Sequence, residues 1–195
     1  GLHCEVAKLK MDFMTRAQSL IHGDLHTGSI FINEESTKVF DPEFCFYGPM
    51  GYDIGNVIAN MIFAWANGDA AGAADFCKWV EDVLVDVINM TKEKMEKYYD
   101  EHVTDTMCRN ELYKKYYMDT IIEDTSAVAG LELIRRIVGM ANVKDITTIA
   151  DEAKRARAEK ICITAAIDFI KNRSDKKCGK CFLKTLKDAI AEVDA

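Results

Sequence analysis

The chain has 195 residues, a formal net charge of −7 and a hydrophobic fraction of 49%. This length and composition allow one sizeable buried core, as expected for a single domain or one lobe of a larger protein. The acidic balance, without a sustained Lys/Arg stripe, argues against binding to nucleic acid or to an anionic membrane. The longest apolar run, residues 57–66, is far shorter than the roughly 20 residues that a membrane span requires. Small-molecule chemistry is therefore the first class of function to consider.

In chain order, hydrophobic periodicity first predicts a helix over residues 2–21. Two short apolar runs, 29–33 and 38–41, are separated by the polar stretch EEST and predict a small β hairpin. Asp53 is predicted to cap a helix over 54–66 that ends at a glycine. Further helices are predicted over 70–90, 92–117, 118–139, 145–172 and 179–193. The expected fold class is therefore mainly α with one small hairpin.

The seven cysteines are an odd number scattered through segments with helical periodicity. An odd, scattered set of cysteines favours free thiols in a reducing cytoplasm over a disulfide framework. Cys178 and Cys181 form the one close pair, in the stretch KKCGKC. Such a pair suits half of a zinc site or a redox pair, but no second Cys/His pair lies nearby to complete four ligands. We interpret the pair as two thiols at the start of a terminal helix.

The stretch HGDLHTGS, residues 22–29, interrupts an apolar run with ionisable residues that a buried strand would exclude unless they had a function. Gly23 gives backbone freedom, and Asp24 places a carboxylate at the mouth of a loop. Asp41 and Glu43 flank a proline in an extended segment, where residues two apart point to the same side. Paired carboxylates suit Mg²⁺, which prefers oxygen ligands. These residues together fit phosphoryl transfer to an alcohol.

The stretch HGDLHTGS resembles the catalytic loop of the aminoglycoside phosphotransferase and choline kinase superfamily, and DPEFCFYGPMGYDIGN resembles its metal-binding segment. Together with LELIRRIVGMANVKDI, these stretches resemble the methylthioribose kinase branch of that superfamily, over residues 12–147. The resemblance implies a protein kinase-like α+β fold in which residues 1–195 form the C-terminal helical lobe. It also implies ATP-dependent phosphorylation of the C1 hydroxyl of S-methyl-5-thioribose, a step of methionine salvage.

Carried over position by position, the resemblance makes Asp24 the catalytic base and assigns the Mg²⁺ of Mg²⁺–ATP to Asp41 and Glu43. Most of the superfamily has a metal-binding Asn where this chain has Ser29. The neutral hydroxyl of Ser29 is a weaker ligand, and this residue is a third candidate for the metal. The same serine occurs in the methylthioribose kinase branch, so the departure supports that branch.

Arg135 and Arg136 are implied by the resemblance to contact the sugar and the transferring phosphate. Adjacent helical residues diverge by about 100°, so both side chains reach one site only from a helix end or a bend. Gly130 and Gly139 permit such an irregularity. A guanidinium holds two oxygens in a fork, which suits the role. From periodicity alone, two surface arginines are the more common outcome.

The catalytic loop lies close to the start of this chain, whereas kinases of the superfamily place a nucleotide-binding lobe before it. No G-x-G-x-x-G stretch occurs, and residues 1–21 contain no predicted strand for the lysine that such a lobe supplies. We therefore expect the N-terminal nucleotide lobe to lie outside these residues. We also expect the 195-residue chain to fold but to have little or no turnover alone.

Several alternatives stay open at this point. A choline, homoserine or aminoglycoside kinase is the nearest alternative, and a non-catalytic module derived from a kinase lobe is another. A metallophosphatase would use the D-x-H pair of GDLH at a dinuclear metal centre, but beyond residue 26 the one histidine is His102. We interpret His22 and His26 as residues that brace the loop by hydrogen bonding. A homodimer is among the assemblies to consider.

Overall fold

The computed structural model describes all residues 1–195, and its architecture is mainly α-helical with short strands, as predicted. Its helices are α1 His3–Thr15, α2 Gly51–Ala71, α3 Ala74–His102, α4 Glu111–Val138, α5 Lys144–Thr147, α6 Glu152–Lys171 and α7 Gly179–Asp194. Its strands are β1 Ser19–Ile21, β2 Ile30–Ile32, β3 Thr37–Val39 and β4 Phe46–Gly48. None of the helices combines the length and apolarity needed to cross a lipid bilayer.

The predicted hairpin is confirmed: β2 and β3 pair antiparallel, with Ile30 opposite Val39. The turn between them is closed by the Asn33 side chain, whose Oδ1 accepts hydrogen bonds from the backbone N–H groups of Glu35 (3.0 Å) and Ser36 (2.7 Å). A side-chain acceptor of this kind replaces a backbone partner in a tight turn. The hairpin projects from the helices, and its residues are exposed except for the half-buried Ile30.

The second strand pair was not predicted, and it corrects the first helix. Helix α1 ends at Thr15, whereas the periodicity predicted a helix to residue 21. The backbone N–H of Gln18 donates to the carbonyl of Gly48 (3.1 Å), and β1 then pairs antiparallel with β4. Pairing with a distant segment therefore overrides the local helical pattern of these residues.

The core lies among the long helices, with α2 packed against α3, α4 and α6. Helix α7 fills the space between α3 and α6. The approach of α2 to α4 is close, because a Cβ atom on Gly55 would lie only 2.7 Å from the carbonyl oxygen of Thr125. The largest fully buried side chains are Phe63, Phe169, Phe182, Ile58, Ile62, Leu84, Ile88, Ile121, Ile122, Leu133, Ile161 and Ile170. This core fixes the end of α4 relative to the loops that precede α2.

Several predicted helix boundaries are wrong: the predicted helix 145–172 is broken at residues 148–151, and α2 extends to Ala71 instead of ending at residue 66. Helix α3 runs without interruption through residue 91, where the sequence analysis placed a break, and α4 runs through the boundary predicted at 117/118. The actual break lies between His102 and Glu111. Two capping residues define it: the side chain of Asp105 accepts from the N–H of Met107, and that of Asn110 accepts from the N–H of Tyr113.

Candidate active site

The loop that follows β1 is held in place by Asp53, in the first turn of α2. The Asp53 carboxylate accepts hydrogen bonds from the backbone N–H groups of His22 (2.6 Å) and Gly23 (3.0 Å). The prediction that Asp53 caps α2 is wrong, because α2 begins at Gly51 and no side chain caps it. Both carboxylate oxygens instead fix the backbone immediately before Asp24. Sequence reasoning missed this role because the partners are about 30 residues apart.

His22 stabilises the loop by hydrogen bonding, as predicted from the sequence. Its Nε2 donates to the carbonyl of Phe40 (2.9 Å), and its Nδ1 accepts from the backbone N–H of Asp24 (3.3 Å). Because one ring nitrogen donates and the other accepts, these contacts select the neutral tautomer with the proton on Nε2. The ring therefore links the backbone of Asp24 to the residue that precedes Asp41.

Backbone conformation brings the loop and the Asp41–Glu43 segment into contact. Gly23 has a positive φ of 84°, and a Cβ atom there would collide with the carbonyl oxygen of Phe44. Asp41 also has a positive φ, 66°, and is the one residue other than glycine that does. The left-handed region costs energy for residues that carry a Cβ atom, although Asp tolerates it better than most. The surrounding contacts thus impose an unusual conformation at a predicted metal ligand.

The two predicted metal-binding carboxylates lie on this segment and face solvent. Asp41 and Glu43 are both exposed, and Asp24, in the loop after β1, is half-buried. No three His, Cys, Asp or Glu side chains converge in a group that could hold a metal ion. The segment predicted to be extended, with both carboxylates on one side, is a turn in which the N–H of Cys45 donates to the carbonyl of Pro42 (3.1 Å), so a shared cation site for Asp41 and Glu43 stays a prediction. A dinuclear metal centre would need a larger ligand cluster than these residues form.

Ser29, the third predicted metal candidate, is buried with only 3% of its surface exposed. Its Oγ lies 3.2 Å from Nε2 of His26, within hydrogen-bonding distance. Its carbonyl accepts from the N–H of Phe40 (3.1 Å). Ser29 therefore ties the loop to the end of β3, and a metal-binding role for its hydroxyl stays a prediction.

Arg135 and Arg136 lie in the last turn of α4, which ends at Gly139, so a helix end brings them together. Both pair with Glu132, which is only 6% exposed: Arg135 donates through Nε (2.6 Å) and Nη2 (3.0 Å), and Arg136 through Nε (2.7 Å). Arg135 Nη1 and Arg136 Nη2 make no hydrogen bond within the protein. Gly130 makes no bend; it lets α4 approach α6. One buried carboxylate thus orients two cations that keep free donors.

The charges of the loop and of the α4 end influence one another. The hydrogen bonds to Glu132 raise the pKa of Arg135, and the Asp24 carboxylate adds to that rise. Burial raises the pKa of Tyr52, in the first turn of α2, and both Glu132 and Asp24 contribute to the rise. The negative charges of Glu132 and Asp24 therefore both favour the cationic form of Arg135.

A cavity of about 260 Å³ lies beside Arg135, between α1, α2 and α4. Asp124 on its wall is 5% exposed; Oδ1 accepts from Nη1 of Arg16 (2.6 Å), while Oδ2 is buried without a hydrogen-bond partner. Burial raises the pKa of Asp124, although the Arg16 guanidinium lowers it. The cavity walls also include Tyr52, Asn56 and Glu132. This unpartnered oxygen is closed off from solvent, so a ligand in the cavity can reach it only if the wall rearranges.

Comparison with known proteins gives the relatives of this chain. Residues 4–84 match the Phosphotransferase enzyme family. The chain is 38% identical over 191 residues to Methylthioribose kinase 1 of Oryza sativa subsp. japonica, which covers 88% of this chain and 44% of that protein. It is 36% identical over 170 residues to Methylthioribose kinase of Bacillus pumilus, covering 87% and 42%. It is 34% identical over 180 residues to Methylthioribose kinase of Escherichia coli O45:K1, covering 85% and 43%.

The mainly helical architecture with short strands is that of a protein kinase-like fold, and residues 4–84 are similar to the phosphotransferase family. Over most of its length the chain is similar to methylthioribose kinases, as the sequence resemblance implied. It spans about 44% of the length of the rice relative.

Proposed function

We propose that this chain forms the catalytic-loop and acceptor-binding lobe of an ATP-dependent kinase that phosphorylates the C1 hydroxyl of S-methyl-5-thioribose, in methionine salvage. The observation that carries the proposal is the set of hydrogen bonds that fixes the HGD loop, residues 22–24. Asp53 holds the backbone before Asp24, and His22 ties the loop to Phe40, next to Asp41. The 34–38% identity to methylthioribose kinases supports the choice of acceptor.

Asp24 is the proposed base. Its carboxylate accepts the proton of the acceptor hydroxyl while that oxygen attacks the transferring phosphoryl group. Such a base has to be held at hydrogen-bonding distance from the hydroxyl, so the position of its backbone matters. The Asp24 N–H donates to Nδ1 of His22, and the two preceding N–H groups donate to Asp53. The loop is therefore arranged before the acceptor binds.

The acceptor is proposed to lie between Asp24 and the end of α4. The free donors of Arg135 and Arg136 suit sugar hydroxyls and the oxygens of the transferring phosphoryl group. Glu132 keeps both guanidinium groups oriented, so less conformational entropy is lost when they bind. The unpartnered Oδ2 of Asp124 is proposed to accept from a ligand hydroxyl after the wall of the neighbouring cavity rearranges to expose it.

Asp41 and Glu43 are the proposed ligands of the Mg²⁺ that accompanies ATP. Their exposed oxygen donors fit a hard cation that keeps part of its hydration shell. When bound, Mg²⁺–ATP supplies the phosphoryl group and neutralises charge on the phosphates. The protein's contribution at this position is the fixed backbone of residues 40–44, which touches the catalytic loop at His22 and Gly23.

The nucleotide-binding lobe is proposed to lie outside these 195 residues. Residues 1–18 contain a single helix, α1, with no strand to carry a phosphate-binding lysine. Without such a lobe, ATP would be poorly enclosed, so the chain alone should turn over little substrate. The seven free thiols favour a cytoplasmic setting.

Calorimetric titration of the 195-residue chain tests the acceptor. The panel contains methylthioribose, choline, homoserine and an aminoglycoside, each in the presence of Mg²⁺. We expect binding heat from methylthioribose alone, and a loss of about tenfold or more in affinity on Arg135→Ala, because a charged hydrogen bond contributes about 1.5–3 kcal/mol. Arg109→Ala is the matched control, since Arg109 is exposed between α3 and α4. Preferential binding of choline or the aminoglycoside would favour another kinase of the superfamily.

Catalysis is tested with a fusion in which this chain replaces the matching part of the rice relative. Release of ADP from ATP and Mg²⁺ is measured with and without methylthioribose, and the 195-residue chain is assayed in parallel. We expect methylthioribose-dependent ADP release from the fusion and little from the chain. Robust turnover by the chain alone would contradict the assignment of essential ATP contacts to another lobe. A folded fusion that binds both substrates without turnover would favour a non-catalytic module.

A further inference from the structure

Cys178 and Cys181 form a close thiol pair that the proposed kinase chemistry does not use. Their Sγ atoms lie 3.3 Å apart, within hydrogen-bonding distance of one another. Cys178 directly precedes α7, and Cys181 lies in the first turn of that helix. The N–H of Cys181 donates to the carbonyl of Cys178 (2.9 Å), which closes the turn between them. Both residues are half-buried, so a small reagent can reach the sulfur atoms.

The surroundings of the pair favour a reactive sulfur at Cys181. Burial raises the pKa of this thiol, but hydrogen bonding from the Lys177 backbone, the Cys178 thiol and the Cys178 backbone outweighs it and lowers the pKa. Lys176 adds a nearby positive charge. These backbone donors precede α7, and the positive end of the helix dipole also stabilises a thiolate in the first turn. Cys181 is therefore the better nucleophile, and Cys178 is placed to react with it next.

Neighbouring elements hold this turn in place. The N–H of Gly179 donates to Oδ1 of Asn89 on α3 (2.9 Å), and a Cβ atom on Gly179 would collide with the carbonyl oxygen of Val85. Lys176 pairs with Asp168 of α6 (2.5 Å). A disulfide requires sulfur atoms about 2.0 Å apart, so the pair has to close by only about 1.3 Å. Side-chain rotation supplies such a movement without unfolding the turn.

We propose that Cys178 and Cys181 form a redox-modification site that is converted reversibly from a dithiol to an intramolecular disulfide by a small-molecule disulfide such as glutathione disulfide. The Cys181 thiolate attacks one sulfur of the oxidant, forms a mixed disulfide and releases one glutathione thiolate. Cys178 then loses its proton, attacks the Cys181 sulfur and releases the second glutathione. Two protein thiols are oxidised, and one glutathione disulfide is reduced to two glutathione molecules.

The proposal is tested on the reduced 195-residue chain, which is incubated with glutathione disulfide, quenched with an alkylating agent and mapped by peptide mass spectrometry. We expect a Cys178–Cys181 disulfide that dithiothreitol reverses. Cys181 should react about ten times faster than Cys45, because its thiolate is favoured and Cys45 is an exposed thiol outside any helix. A pair that stays reduced while Cys4 and Cys45 become glutathionylated would overturn the proposal.

Single substitutions then separate the two steps. Cys178→Ser removes the second thiol, so Cys181 should accumulate as a mixed disulfide with one glutathione. Cys181→Ser removes the nucleophile, so Cys178 should react about as slowly as Cys45. Faster glutathionylation of Cys178 in Cys181→Ser than of Cys181 in Cys178→Ser would overturn the assigned order. The wild-type measurement decides the main point even if either variant folds poorly, and none of these measurements depends on the kinase acceptor.

Discussion

Asp53 and His22 are joined by a 2.6 Å hydrogen bond from the backbone N–H of His22 to the Asp53 carboxylate, and the other oxygen of Asp53 accepts from Gly23. This single side chain connects the first turn of α2 to the residues that precede Asp24. Because α2 packs against four other helices, the core of the lobe fixes the loop through Asp53. The position of the proposed base thus depends on a residue that does not need to touch substrate.

Asp53→Asn tests this positioning role. The Asn side chain keeps the shape but offers one acceptor and places an NH₂ group against a backbone donor. We expect faster hydrogen exchange at the amides of His22 and Gly23, and a loss of about 1–3 kcal/mol in the free energy of unfolding. Asp82→Asn is the control, because Asp82 pairs only with Lys78 on the exposed surface of α3. Unchanged exchange at both amides would show that Asp53 does not hold the loop.

Asp24→Asn tests the base. In the fusion with the nucleotide lobe of the rice relative, we expect kcat to fall by about 100- to 10,000-fold, because the amide cannot accept the hydroxyl proton. Thermal unfolding of the 195-residue chain should hardly change, since the Asp24 side chain makes no hydrogen bond in the protein and only its backbone N–H is used. A variant with near-normal kcat would remove Asp24 from the proposed role.

Asp41→Gly separates metal binding from folding. Glycine adopts a φ of 66° without a Cβ penalty, so the free energy of unfolding should stay within about 1 kcal/mol of the wild type. The variant lacks the carboxylate, so the fusion should need a higher Mg²⁺ concentration for half-maximal ATP binding, with acceptor affinity unchanged. Asp41→Ala should show the same loss with lower stability. An unaltered Mg²⁺ titration in both variants would rule out the ligand role.

Local sequence signals predicted some elements of this fold better than others. The hairpin was located correctly because a polar turn separates two apolar runs, and the observed strands Ile30–Ile32 and Thr37–Val39 lie within them to one residue. The predicted end of α1 was wrong because Ser19–Ile21 pairs with Phe46–Gly48, and no local sequence pattern indicates that contact. The break between α3 and α4 did carry a local signal: Asp105 is a residue type typical of helix caps.

The residues of the candidate site also differ in how far the sequence predicted them. The motif resemblance proposes Asp24, Asp41 and the arginine pair, whose roles stay predictions, and the end of α4 supplies the helix terminus that the two arginines were expected to need. The partner that orients those arginines, Glu132, lies in the quoted stretch LELIRR but was not singled out. The role of Asp124 depends on Arg16, which is 108 residues away, so it could not be read from sequence spacing. Tertiary packing brings Asp124 and Arg16 together, whereas Glu132 contacts both arginines through i,i+3 and i,i+4 spacing on α4.

Arg135→Lys and Arg136→Lys test the need for a guanidinium fork. A lysine keeps the charge but cannot donate two parallel hydrogen bonds to Glu132, so the cation loses its fixed orientation. We expect each variant of the fusion to lose about tenfold or more in kcat/KM for methylthioribose. Arg109→Lys should retain the wild-type value. Full activity of both Arg135→Lys and Arg136→Lys would make the pair ordinary surface cations.

The pH dependence of unfolding tests the buried carboxylate of Asp124. Burial raises its pKa in the folded chain above its ordinary value of about 3.9, even though Arg16 lowers it. The folded state therefore binds this proton more tightly than the unfolded state does. The contribution of Asp124 to the free energy of unfolding then decreases as the pH rises from below 3.9 through the higher pKa of the folded chain.

Asp124→Asn removes this titration, so the difference in free energy of unfolding, wild type minus variant, should fall as the pH is raised from about 3.5 to 7. Urea denaturation of both proteins at several pH values measures that difference. For Asp119→Asn, the same wild-type minus variant difference should rise with pH instead. Burial raises the pKa of Asp119, but its lysine partners outweigh this and lower it. If Asp124 Oδ2 receives a ligand hydroxyl, saturating methylthioribose should protect the wild type against unfolding more than it protects Asp124→Asn. Equal protection of the two proteins would show that Asp124 does not contribute to acceptor binding.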